Sequence, residues 1–582
     1  MRETTCSRLR LNAPAAATLS LLSSLCLGAV LPFAIATPAA AAERVTLTYG
    51  FAEISVSVEA LRAYEERGEI DKELAPYIDF LSPEQRSQLR QTLQARQDVG
   101  PVKISQFLYS SIGQNILRYL GDIVQTQSRR DGAKGLRGAL VLAAAEPGGL
   151  SLLGVLENFP TSNVRIDSQR VFQALNAFTG LIRDTDGAIA AITDQSRPSQ
   201  FVTADALTLS ERVQKGPYAV TQQNLMVEDR ERDRVLPTDL YLPDKPAAAL
   251  IVISHGLAGD RQGFAEMAEY LASHGYAVAA LDHPGSNRDQ LEALLRGSAQ
   301  EIAKPTEFSD RPRDVSYLLD ELTRLNAPNN PLANRLDMNT IGIIGHSFGG
   351  YTALALAGAQ LDFDTLQTNC DSDEFIFNAA NPSMLLQCTA LLAPEQFSNN
   401  LQDERIKAVM AINPVTSSLF GPSGFSQIAI PSLLVAGSSD PIAPALLEQI
   451  QPFTWLNRSV SMETSSEAGS AGPDHFLALI QGGSHLYNLP ELDNTDVSLV
   501  NELVSADIPL AYSYLKALSL GFMQAELDQD PFYQAALNDA SIVQIGQSPL
   551  PLYIVNSLTE DMLKPAEALP VEEIPAEETP DI

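Results

Sequence analysis

The stretch that most constrains this chain is "IGIIGHSFGGYTALALAG", residues 341 to 358. A short apolar run stops at Gly345, a serine follows two residues on, and small and apolar residues then continue at helical spacing. Gly345, Ser347 and Gly349 make the pattern G-x-S-x-G between a strand and a helix. That context matters, because a serine held on a sharp strand-to-helix turn projects its hydroxyl from the sheet edge, and the flanking glycines let strand and helix approach closely. A fold that uses such a turn needs a sheet beneath it.

The surrounding sequence supplies one. From about residue 205, "TDLYLP", "ALIVISHG", "AVAALDH", "TIGIIGHS", "IKAVMAINP", "PSLLVAGSSD" and "FLALIQGGSH" read as strands. Amphipathic stretches such as "FAEMAEYLASHG" and "RDVSYLLDELTRLN" lie between several of them. Near-continuous apolar strands separated by helices predict a mostly parallel sheet covered on both faces. Reactive groups in such sheets collect beyond the carboxyl ends of the strands.

A serine hydroxyl needs a base, and the base an orienting acid. In a strand–serine–helix fold the chain order is serine, acid, histidine. Of six histidines, only His475 and His485 follow Ser347. His475 precedes the strand "FLALI", at the wrong end, whereas His485 follows it, so position favours His485. Asp440, the last residue of "PSLLVAGSSD" and immediately after its apolar strand, is the acid candidate; Asp474 has no preceding strand to fix it. Oxyanion donors are expected from the Phe348 N–H, next to the nucleophile, and from Leu257 in the loop "SHGLAGD" after an early strand.

Together "SHGL", "GHSFGG", "GSSDPIAP" and "GGSH" resemble the serine-esterase branch of the α/β-hydrolase superfamily, in particular platelet-activating-factor acetylhydrolase-like lipases and dienelactone-hydrolase-related esterases. The resemblance covers about residues 225 to 490. It implies an α/β-hydrolase fold with Ser347, Asp440 and His485 as triad, Leu257 and Phe348 as oxyanion donors, and Gly345 and Gly349 flanking the elbow. The implied substrate is a small ester or lipid, of short or medium chain or a phospholipid acyl ester. Dienelactone hydrolases proper carry cysteine where this chain has Ser347, which argues against that narrower activity. A thioesterase or peptidase with the same triad, or a non-catalytic binding protein on the same fold, are the alternatives.

The rest of the chain reads as follows. Residues 1–42 have the arginine-bearing start, apolar stretch and small-residue end of an export signal, with cleavage expected after Ala42 and no membrane span remaining. A periplasmic or extracellular protein follows from that reading. Residues 43–204 read as a mainly helical domain of unassigned role, which resembles a region of unknown function ahead of exported bacterial hydrolases. "SPEQRSQLRQTLQAR" opens on Ser82 with Pro83 and Gln85, a capping-box signature, and "SIGQNILRYLGDIVQTQ" and "SQRVFQALNAFTGLIRD" show helical spacing. The hydrolase domain is expected over 205–558, with an insertion at about 360–400. Export favours pairing of Cys370 with Cys388, both in that insertion. Phe375, Ile376, Phe377, Met384 and Leu385 there could line an acyl pocket or form the insertion's own core. Residues 559–582 read as an acidic, proline-rich disordered tail. A net charge of −32 over 582 residues disfavours nucleic acid and anionic membrane surfaces as partners. No metal-ligand spacing or phosphate loop is present, so no metal or cofactor is expected.

Overall fold

A computed structural model describes residues 41–50, 52–196, 209–371, 380–394, 400–456, 473–487, 505–538 and 546–563. Residues 1–40 of the expected export signal (1–42), residues 564–582 of the expected acidic tail, and Phe375, Ile376 and Phe377 lie outside the described residues. All seven strands read from the sequence form, and they build one nine-stranded sheet with two more. Its order is β13-β12-β11-β10-β9-β7-β8-β6-β5. The strands are β5 (Val220–Asp229), β6 (Arg234–Pro243), β7 (Ala248–Ser254), β8 (Ala277–Leu281), β9 (Leu336–His346), β10 (Ile406–Ile412), β11 (Ser432–Gly437), β12 (His475–Ile480) and β13 (Leu552–Val555).

The six central strands from β8 to β12 pair in parallel, while β6 with β8, β5 with β6 and β13 with β12 are antiparallel. Successive side chains on these strands go to opposite apolar layers. Leu250 and Val252 join one buried cluster, and Ile251 and Ile253 the other. Both faces are therefore dry, which explains why the central strands are apolar throughout rather than alternating. From β7 the chain moves one way to β8, then returns to place β9 on the other side of β7. The carboxyl ends of β7 and β9 thus flank a reversal of strand order, where open parallel sheets form their crevice.

The N-terminal region is mainly helical, as expected, and Ser82 makes the full capping box with Gln85 behind Pro83. It also contains a four-stranded sheet that helical periodicity did not reveal: β1 (Arg44–Tyr49), β2 (Ala52–Ser57), β3 (Val124–Gln125) and β4 (Asn163–Asp167), ordered β2-β1-β4-β3. This region is fastened to the larger sheet's layers. Glu301 accepts from the Ser111 N–H (2.8 Å) and Oγ (2.7 Å) at the start of helix Ser111–Ile123. The long helix Ser168–Gln195 buries Ala188 and Ile192 in the main core. Its earlier turns leave Phe172, Leu175, Phe178 and Ile182 exposed, so its apolar spacing there does not mark a buried face.

In the insertion, Cys370 and Cys388 form a disulfide. Met384 is buried and Leu385 half-buried, and the neighbouring Leu386 and Ala390 join the main core. The fully buried carboxylate of Glu448 anchors the same segment. It accepts from Asn381 Nδ2 (2.6 Å), Ser383 Oγ (2.8 Å) and Gln387 Nε2 (2.9 Å), and also from the Thr416 N–H (2.8 Å), the Ser417 N–H (2.9 Å) and Ser417 Oγ (2.6 Å). Among the described residues no helix is long and apolar enough to cross a membrane.

Candidate active site

The residues after β9, β11 and β12 converge. Ser347 follows β9 in a sharp turn, with φ 54° and ψ −116°. A non-glycine residue there stores about 1–3 kcal/mol of strain. The turn is held by the Ser347 N–H donating to Ile412 O at 2.8 Å, and by the Tyr351 N–H returning to Ser347 O at 3.2 Å. Neither flanking glycine could carry a side chain. A Cβ on Gly345 would lie 2.0 Å from Gly349 O, and one on Gly349 would lie 2.0 Å from Ser254 O. That contact brings the elbow helix Phe348–Leu356 against the end of β7.

Asp440 lies three residues beyond β11. Its Oδ1 accepts from the Ile442 and Ala443 N–H groups, both at 2.8 Å, which leaves Oδ2 facing His485 Nδ1 at 2.7 Å. His485 Nε2 stands 3.0 Å from Ser347 Oγ. With the carboxylate accepting from Nδ1–H, Nε2 is the free lone pair and Ser347 Oγ–H the donor. Ser347, Asp440 and His485 are all buried, between 5% and 7% exposed, so the chain of hydrogen bonds works at low dielectric.

His475, the competing histidine, is the first residue of β12, at the opposite end of the strand from His485. Its Nδ1 meets no partner, and burial pulls its pKa down to about 4. It is a neutral ring in the wall of the sheet.

Phe348 directly follows Ser347, and Leu257 follows Gly256 in the loop after β7. A Cβ on Gly256 would come within 3.3 Å of Ser347 Cβ, so the loop after β7 lies directly over the serine. Among the described residues, the backbone hydrogen bonds of turns and loops include none donated by the Leu257 or Phe348 N–H.

Two further residues grip the histidine loop. Asn413, just past β10 with φ 42°, donates from Nδ2 to Ser484 O (2.9 Å), and His485 O lies 3.4 Å away. Its Oδ1 accepts from the Gly437 N–H (3.0 Å) and the Tyr487 hydroxyl (3.3 Å). One fully buried amide thus ties the end of the acid's strand to the histidine's turn. His346 Nε2 donates to His485 O at 2.8 Å. Burial, and secondarily His485, hold the His346 pKa down to about 4, so the ring stays neutral beside a base that must become charged. The strand-end rule could have flagged Asn413, a polar residue closing "IKAVMAIN"; its partners, far away in sequence, could not be read.

Comparison with known proteins agrees with this architecture. A family model described as "Alpha/beta hydrolase of unknown function (DUF1400)" matches residues 41–167, and one described as "Serine aminopeptidase, S33" matches residues 245–367. The chain has the α/β-hydrolase fold. The second match contains β7 and the Ser347 elbow, whereas the first lies wholly in the N-terminal region, ahead of the nine-stranded sheet. Among individual proteins, this chain is 28% identical over 137 residues to a platelet-activating factor acetylhydrolase of Bos taurus, covering 18% of this chain and 31% of that protein. It is 28% identical over 160 residues to cutinase est1 of Thermobifida alba, covering 25% and 43%. Cutinase 1 of Thermobifida cellulosilytica is 25% identical over 154 residues, covering 25% and 48%. The chain spans less than half the length of these curated relatives.

Proposed function

We propose that this α/β-hydrolase cleaves carboxylic esters through an acyl-enzyme on Ser347. The observation that carries the reading is the continuous hydrogen-bonded chain Ser347–His485–Asp440, at 3.0 and 2.7 Å. Ser347 Oγ attacks the ester carbonyl while His485 Nε2 takes its proton. The Leu257 and Phe348 N–H groups receive the developing oxyanion, and His485 then hands the proton to the departing alkoxide. Water, deprotonated by the same imidazole, releases the acid and restores the serine. Asp440 keeps Nδ1 protonated and stabilises the transient imidazolium.

Esters are preferred over amides as substrates because the similar proteins named above are acetylhydrolases and cutinases. The substrate is a small ester of short or medium acyl chain or a phospholipid acyl ester, and the site of action is outside the cytoplasm, as the N-terminal signal pattern suggests. A fluorophosphonate probe should label the wild type and not Ser347→Ala. A panel of p-nitrophenyl esters, lysophospholipids, thioesters and aminoacyl p-nitroanilides should show ester turnover dominant. The aminopeptidase description of one matching family model makes the anilides the decisive rival arm: faster cleavage of these would replace ester hydrolysis by amide hydrolysis on the same triad.

A further inference from the structure

Behind the proposed site lies a second Ser–His–Asp chain. Ser254 Oγ is 3.0 Å from His283 Nε2, and His283 Nδ1 is 3.0 Å from Asp314 Oδ2. Side chains of His283 and Asp314 are fully buried, as is Ser254, so no substrate reaches this serine. Asp314 is itself held by Arg234, at 2.8 Å to Oδ1 and 2.6 Å to Oδ2. The chain fixes His283 at the end of β8, and the consequence falls on its backbone: the His283 N–H donates to His255 Nε2 at 3.1 Å.

That bond decides the tautomer of His255. A backbone N–H can only donate, so Nε2 is the acceptor and the ring proton sits on Nδ1. Nδ1 lies 2.7 Å from Gly256 O and therefore donates to it; the Gly259 N–H reaches the same oxygen at 3.2 Å. In a planar trans peptide the carbonyl and the following N–H point in opposite directions. Holding Gly256 O towards His255 turns the Leu257 N–H the other way. Arg311 completes the support. It donates to His255 O, and its guanidinium lies 4.4 Å from the ring centroid of Phe348, the residue bearing the second donor.

We propose that His255 is a positioning residue for the oxyanion hole, its Nδ1–H aiming the Leu257 N–H at the reacting carbonyl oxygen while the buried Ser254–His283–Asp314 chain holds the tautomer. This rests on the ester-hydrolase reading above and adds to it the device that presets one donor. The ring is buried and neutral, burial and the Arg311 charge both disfavouring protonation, so its role is directional rather than acid–base.

The test compares His255→Asn with His255→Gln. Asparagine places an amide N–H near the Nδ1 position and keeps the grip on Gly256; glutamine reaches the Nε2 position, keeps a partner for the His283 N–H and loses that grip. With p-nitrophenyl butyrate, H255Q should lose ~10- to 100-fold in kcat with KM within about threefold of wild type, short of the ~100- to 1000-fold of outright donor loss. Affinity for a trifluoromethyl ketone, whose tetrahedral adduct places an oxyanion in the hole, should fall by the same factor. H255N should recover most of both, and the acid limb of the pH–rate profile should keep its midpoint in both variants. Equal kcat and equal ketone affinity for H255N and H255Q would overturn the proposal alone, provided the wild type labels and turns over. A wild type that neither labels nor hydrolyses esters would overturn the ester-hydrolase reading, and this proposal with it.

Discussion

Asn413→Ala isolates the tie between the acid's strand and the histidine's turn. The change removes an acceptor from the buried Gly437 N–H, bonded at 3.0 Å, and a donor from Ser484 O, bonded at 2.9 Å. An orphaned buried N–H costs about 1–3 kcal/mol, and a carbonyl that loses one of its donors falls at the low end of that range. The residue sits at φ 42°, where asparagine is tolerated and alanine pays roughly 1 kcal/mol more. The sum is a loss of about 3–5 kcal/mol, large against the ~5–15 kcal/mol that holds a domain together. Urea unfolding followed at Trp455, the single tryptophan of the chain, reads it directly. Asn413→Gly removes the same bonds without the backbone strain, so it should be about 1 kcal/mol less damaging than N413A. Activity should fall with stability lost locally, because a displacement of His485 of about 1 Å costs on the order of 100-fold in kcat. If N413A unfolded within ~0.5 kcal/mol of wild type and kept kcat within threefold, the amide would not be what fixes the histidine loop.

Asp440→Asn should leave the bonds from Ile442 and Ala443 intact while presenting an N–H to His485 Nδ1. A drop of ~10⁴ in kcat with little change in KM is expected from steady-state kinetics. Two buried histidines make stability fall with acid: His346 and His475 have folded pKa values of about 4, below the ~6.5 of the unfolded chain. The unfolded state therefore binds more protons between those values, and stability is lost as pH drops from about 6.5 to 4. His475→Leu should flatten that slope in unfolding experiments run from pH 7 to 4.5 and leave the acid limb of the rate profile in place. Reducing Cys370–Cys388, or replacing both by serine, should cost about 3 kcal/mol by the loop-closure argument for a separation of 18 residues, seen as a lower urea midpoint. Glu448→Gln replaces an acceptor facing six donors by a group that is itself half donor, and should raise the protease sensitivity of the insertion more than loss of the disulfide does.

Much of the α/β-hydrolase-fold half was legible because its signals are local. A parallel sheet buried on both faces writes each strand as an apolar run, and the strand-end rule then picks out Ser347, Asp440 and His485 from single short windows. The strands that escaped are those whose pairing gives them no such signature. β5, "VTQQNLMVED", lies at an antiparallel edge with most of its polar residues exposed, and β13 is four residues long. The small N-terminal sheet pairs β1 with β4 across more than a hundred residues, a separation that periodicity does not register. The supporting residues were illegible for the same reason. His255, His283, Arg311 and Asn413 act only through partners brought near by folding, so each looks like an ordinary polar residue at a strand end or in a helix.

The six donors around Glu448 bear on how this protein can be re-engineered. They come from two separate stretches, 381–387 in the insertion and 416–417 after β10, and meet on a side chain from a third. An insertion from another hydrolase, grafted in place of residues 360–400, would arrive without Asn381, Ser383 and Gln387 and would strand a carboxylate in the interior. The graftable unit is thus not the contiguous insertion but three pieces of chain exchanged together. Shuffling libraries that cut at the insertion's boundaries should yield unfolded chains, while those that co-vary position 448 with the insertion should not.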